Sequence, residues 1–164
     1  MKIFSIALVA LLVAACSNSK MVAQKNYDKA VSNQEVSLEK EWVTYSRGAC
    51  FGTCPNFEIT IYTDGSALYR GKGNVPQIGT FFGQLTKVQI EELKESIKTN
   101  DIWNTPENLI DERLMDAPTL QLRVVEKSKV HHIKHHGPGA ENVKAVERLI
   151  DEIINNLDLR IKEK

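Results

Sequence analysis

The sequence predicts an α+β domain of order ββββ-α-ββ-α. The expected form is a two-layer arrangement, an antiparallel sheet of about six strands with two helices on one face. Three observations predict it. Apolar and polar residues alternate strictly over residues 57–62, Phe-Glu-Ile-Thr-Ile-Tyr, which is the period of a half-buried strand. Apolar residues recur at helical spacing in two later segments, around Leu93 and around Ile150. Short turn signals join consecutive strands as hairpins, with no strand–helix–strand alternation of a Rossmann kind, so the sheet is expected to be antiparallel.

In chain order, residues 36–47 read as an extended segment containing Trp42, Val43 and Tyr45. After the strand at 57–62, Asp64-Gly65 is the pair favoured in a type I′ hairpin turn, where both central residues take positive φ. Residues 67–70 form the return strand, which Gly71, Gly73 and Pro76 end. Residues 78–85, with Phe81 and Phe82, form a fourth strand. Thr86 is placed to cap a helix, with Gln89 completing a capping box. Val88, Ile90, Leu93 and Ile97 carry that helix to about Thr99. Residues 100–118 form a long loop with Trp103, Pro106, Asp111, Glu112 and Asp116; loops beyond about 12–15 residues are often functional or mobile. Residues 120–124 and 130–133 form a second hairpin turning at Lys127-Ser128, closed by Gly137-Pro138-Gly139. Residues 140–157 are the clearest helix, with Val143, Val146, Leu149, Ile150, Ile153, Ile154 and Leu157 in one wide stripe. Residues 160–164 are a charged, fraying end.

Composition excludes several function classes. The chain has 164 residues, 21 Lys+Arg against 21 Asp+Glu, 42% hydrophobic and 26% charged. Apolar residues are too many for a disordered tail. Zero net charge excludes a nucleic-acid binder held by bulk charge. The length suits one domain with a short extension.

The extension is N-terminal. Met1-Lys2 precedes an apolar run over residues 3–15 whose sole hydroxyl is Ser5. It is shorter than the ~20 residues of a spanning helix and reads as a signal peptide. Leu12-Val13-Ala14-Ala15-Cys16 resembles the lipobox of bacterial lipoproteins. That resemblance implies cleavage before Cys16, a thioether-linked diacylglycerol and an acyl chain on the new N-terminus; no other cofactor is expected. Ser17 in place of aspartate implies the outer membrane, facing the periplasm. The expected layout is a signal peptide at 1–15, a polar tether at 16–34, a single domain at 35–158 and a charged tail at 159–164. A tether of that length reaches about 24 Å.

Cys50 and Cys54 admit three readings. Gly52 and Pro55 place them in a turn, not a helix. An oxidising compartment favours a structural disulfide, whose five-residue ring contributes about 2 kcal/mol by chain entropy. A redox site prefers closer spacing and a helix N-terminus. A metal site needs histidines as well. Arg47 is expected to pin the turn through carbonyls or an acid, with anion binding as the other reading.

Arg47-x-x-Cys50-Phe51-Gly52-x-Cys54-Pro55-x-Phe57-x-Ile59-x-Ile61-Tyr62-x-Asp64-Gly65 resembles the DUF6438 family of bacterial envelope proteins. Asp116-Ala117-Pro118-Thr119 is similar to that family's second motif, and Gly137-Pro138 to its third. The resemblance spans residues 36–157 and implies domain extent and envelope location. It implies no chemistry. Phe57 stands where the family often has tyrosine.

All four histidines lie in His131-His132-Ile133-Lys134-His135-His136. On a strand the same-face pairs, His131/His135 and His132/His136, are ~13 Å apart, too far to share one metal ion. A metal site therefore needs ligands from another element, and the simpler expectation is a solvated hairpin. No hydrolase elbow, P-loop, metalloprotease or calcium-loop pattern is present. The expected function is a non-catalytic binding or interaction module, with Arg47, Phe51 and Asp116 as contact residues. Its expected partners are the membrane, through the lipid, and an envelope protein or glycan. The alternatives are a thiol/disulfide redox protein and a metal-binding lipoprotein.

Overall fold

A computed structural model of the protein describes residues 41–114, 116–137 and 140–161. All of them belong to one unit of the chain, Glu39–Lys164. The expected signal peptide, the lipidated Cys16, the tether, Pro138 and Gly139 lie outside the described residues.

Among the described residues the fold is mixed α+β, with one sheet and two helices. The strands are β1 (Glu41–Arg47), β2 (Asn56–Tyr62), β3 (Ser66–Gly73), β4 (Gly79–Gln84), β5 (Asn108–Leu109), β6 (Leu120–Glu126), β7 (Lys129–His135) and β8 (Arg160–Ile161). Helix α1 is Lys87–Thr99 and α2 is Glu141–Asn156, with a 3₁₀ turn at Ile102–Asn104. Among the described residues the sheet has eight strands, in the order β5-β7-β6-β1-β2-β3-β4-β8. The expectation of six strands is corrected: β5 and β8 are two-residue strands added at the two edges.

Both additions have a packing cause. Leu109 packs on the core, and β5 runs parallel to β7, with Leu109 opposite His135. Leu157 and Leu159 also pack on the core, which turns the chain back along β4 and pairs Arg160 and Ile161 with Phe82 and Phe81. The described part of the segment 100–118 is therefore anchored, with Ile102 wholly buried.

Strand alternation sends Val43, Tyr45, Ile59, Ile61, Leu122, Val124 and Ile133 into one cluster with Leu93 and Ile97 of α1 and Val143, Val146, Ile150 and Ile153 of α2. Thr86 caps α1 as expected: its hydroxyl accepts from Gln89 N–H, and the Gln89 side chain accepts from Thr86 N–H. Among the described residues no helix is long and apolar enough to cross a membrane.

Two local expectations change. The β2–β3 connection has three residues, not two. Gly65 N–H donates to the Tyr62 carbonyl at 2.9 Å, and Gly65 takes φ 81° while Asp64 stays negative. That is a type I turn closed by a left-handed glycine. Gly71 and Gly73 lie inside β3 instead of ending it. A Cβ on Gly71 would stand 1.8 Å from the Gln77 carbonyl oxygen, so glycine there lets the 74–78 connection fold against the strand.

Candidate functional site

Three strand ends meet at one end of the sheet. Arg47 ends β1, Leu120 begins β6 and His135 ends β7, and register places them side by side in one row, with Phe57 on the other flank of Arg47. The Gly48 N–H donates to the Thr119 carbonyl at 2.9 Å. Between this row and the first two turns of α2 lies a cleft of about 280 Å³. Arg47, Leu120, His135 and Gly137 line its strand side, and Lys144, Glu147 and Arg148 its helix side.

Residues 45 and 47 alternate onto the same face of β1. Arg47 Nε donates to the Tyr45 hydroxyl, and its Nη2 donates to Asp151 Oδ2 at 2.5 Å. The guanidinium carbon lies 5.6 Å from the Tyr45 ring centre and 5.8 Å from that of Phe57, within reach of cation–π attraction. Arg47 is thus fixed by an acid, as one reading of the sequence holds, but the acid belongs to α2 and not to the cysteine turn. Burial pushes the Tyr45 phenol well above its ordinary pKa; the Glu147 charge adds to this and the Arg47 hydrogen bond opposes it. Burial also raises the Asp151 carboxyl, against the pull of Arg47.

His135 and Glu147 form a second pair beneath the cleft, 0% and 2% exposed. The Gly137 N–H donates to His135 Nδ1 at 2.9 Å. Nδ1 therefore holds the lone pair and Nε2 carries the proton. Nε2 donates to Glu147 Oε1 at 2.8 Å. Both ring nitrogens are engaged, and the buried carboxylate has a donor.

The family model described as a domain of unknown function, DUF6438, matches residues 41–154. The chain belongs to the DUF6438 family. The DUF6438 match starts at the first residue of β1 and ends within α2, so it contains Arg47, both turn cysteines, His135, Glu147 and Asp151. No curated protein matches the chain.

Within this DUF6438 domain, the expected site residues have separate positions. Cys50 and Cys54 are bonded to each other, with Cα atoms 5.8 Å apart. The Asn74 amide donates to the Cys54 carbonyl at 3.2 Å, tying the loop to the end of β3. Phe51, inside the ring, is 93% exposed. Asp116 is exposed and is not among the residues lining the cleft.

The expectation of a solvated histidine hairpin is corrected. Residues 131, 133 and 135 alternate toward the core, so His135 is fully buried and the His131 side chain is 12% exposed. Each histidine has its own partner. His131 Nε2 bonds the Thr105 carbonyl at 2.8 Å and His132 Nε2 bonds Gln121 Oε1 at 3.1 Å. His136 Nδ1 bonds the Asp111 carbonyl at 3.1 Å. Among the described residues no three His, Cys, Asp or Glu side chains converge as a metal site.

Sequence reading missed Tyr45, Lys144, Glu147, Arg148 and Asp151 as site residues. One signal was present. Glu147 stands one turn after Val143 and one turn before Ile150, inside the apolar stripe of α2, and a carboxylate there needs a buried partner.

Proposed function

We propose that this protein is a lipid-anchored bacterial envelope lipoprotein, held by a diacylglycerol and an acyl chain on Cys16 in the outer membrane and facing the periplasm. Its two-layer domain, with both helices on one sheet face, serves as a non-catalytic binding or interaction module for an envelope protein or glycan. The observation that carries the interaction reading is the loop between β1 and β2, where a disulfide braces a five-residue ring and Phe51 stands 93% exposed on it. An aromatic ring on a braced loop is a suitable anchor: it offers a large apolar area and loses little conformational freedom on binding. The engagement of the buried His135 ring supports binding over catalysis. A general base needs a free lone pair near the reacting proton, whereas His135 Nδ1 and Nε2 both have partners.

The test is a photo-crosslinking residue at position 51 of the full chain in its native envelope. The expected result is one reproducible adduct, absent when the same probe stands at Lys94 on α1. Equal capture from both positions, or none from position 51, overturns the interaction reading. Incorporation of labelled palmitate that is abolished in Cys16→Ser checks the anchor.

A further inference from the structure

We propose that the cleft between β1, β7 and α2 binds an anionic group, a carboxylate or phosphate at the end of a larger ligand, with Lys144 and Arg148 as its contacts and Arg47 as a fixed third donor. The inference names a ligand class for the cleft and rests on the reading of the domain as a binding module.

Charge carries it. The whole chain is neutral, 21 basic against 21 acidic residues, yet the cleft is lined by three cations and one carboxylate. That carboxylate, Glu147, lies below the surface at 2% exposure, with the His135 N–H donating to it. The accessible lining is therefore cationic. Lys144 and Arg148 stand four apart on α2 and both line the cleft, a like-charge spacing that costs an isolated helix stability. An anion between them relieves that repulsion.

Two acids border the cations without neutralising the site. Asp151 holds Arg47 through Nη2 at 2.5 Å, which fixes the guanidinium and leaves Nη1 outside that bond. Glu141 meets Lys144 at 2.5 Å, but its side chain is 76% exposed, and exposed pairs of this kind exchange readily for a better partner. Arg148 is exposed; among the described residues it makes no hydrogen bond or ion pair, and Glu141 reaches it only through Coulombic attraction. The volume, about 280 Å³, is at the lower limit of small-ligand pockets, which suits one terminal group and not a whole ligand.

The experiment is an NMR and calorimetric titration of the full, disulfide-intact chain in zwitterionic detergent. The probes are inorganic phosphate, succinate, and vesicles with or without phosphatidylglycerol. The expected result is saturable binding of a soluble anion, with shifts at Gly137, Lys144 and Arg148 that weaken as salt is raised. Binding should fall about 10-fold or more in Lys144→Gln/Arg148→Gln and persist in Lys94→Gln/Lys98→Gln. A response confined to phosphatidylglycerol vesicles and lost in the same double variant also supports the site and identifies a lipid headgroup as the source. The inference is overturned if no probe binds, or if binding survives Lys144→Gln/Arg148→Gln. Anion binding with failed crosslinking at position 51 leaves the cleft standing and removes the Phe51 interaction reading.

Discussion

Replacing Glu147 tests the proton arrangement beneath the cleft. His135 Nε2 donates to Glu147 Oε1 at 2.8 Å while Nδ1 accepts from Gly137 N–H at 2.9 Å, so the imidazole is neutral and asks only for an acceptor. Glu147→Gln keeps a carbonyl oxygen in place and is expected to cost less than about 1 kcal/mol. Glu147→Ala leaves a buried N–H without a partner, about 1–3 kcal/mol, and removes one packed methylene, about 0.8 kcal/mol. Together these give about 2–4 kcal/mol, a fall in Tm of roughly 10 °C for a domain of this size. Urea unfolding of wild type and both variants, with the disulfide intact, measures the two costs. Ring nitrogen shifts of His135 give a second readout, since a neutral imidazole shows two well-separated values and an imidazolium two similar ones. Equal cost for the Gln and Ala variants would refute the reasoning, because the charge of the carboxylate, not its lone pair, would then be what His135 requires.

Three further outcomes are expected. Cys50→Ser/Cys54→Ser should lower stability by about 2 kcal/mol, and its urea midpoint should coincide with that of the reduced wild-type chain; a gap between the two would show that reduction acts elsewhere. Gly71→Ala meets backbone at 1.8 Å and should cost more than about 3 kcal/mol or prevent folding. Gly73→Ala, with nothing within 4 Å of the new carbon, should stay within about 0.5 kcal/mol, and equal effects at the two positions would contradict this account of β3. Burial holds the His132 imidazole below its ordinary pKa, so on acidification the unfolded chain takes up a proton before the folded one. Stability should therefore fall as pH drops below about 6.5, and His132→Gln should flatten that part of the thermal-unfolding profile against pH.

Where local pattern decided the structure, the sequence was legible. Residues 57–62 alternate because one face of β2 meets the core, and Thr86 with Gln89 form a cap that needs no tertiary partner. The β6–β7 turn at Lys127-Ser128 is likewise local. Tertiary causes were not legible. Gly71 looked like a strand breaker because its reason for being glycine is the Gln77 carbonyl. Strands β5 and β8, two residues each, are too short to show a period and exist because Leu109, Leu157 and Leu159 dock on the core. The site divides in the same way. Arg47 and the cysteine loop stood out as a local string, whereas Asp151 is 104 positions from Arg47, and only the docking of α2 brings them together.

The place of β1 in the sheet has a mechanical consequence. It is the first described strand in sequence but a central one in space, hydrogen-bonded along both edges to antiparallel neighbours β2 and β6. The chain enters it at Glu41, and Arg47 marks the opposite end. A load applied upstream of Glu41 and resisted at the Arg47 end runs along the strand axis. Where α2 takes up that load across the cleft, it passes from β1 to its neighbours and strains both ladders in shear, with their hydrogen bonds sharing the force at once instead of opening singly. Under the anchoring and cleft binding proposed above, tension on the domain would fall on a strand paired along both edges.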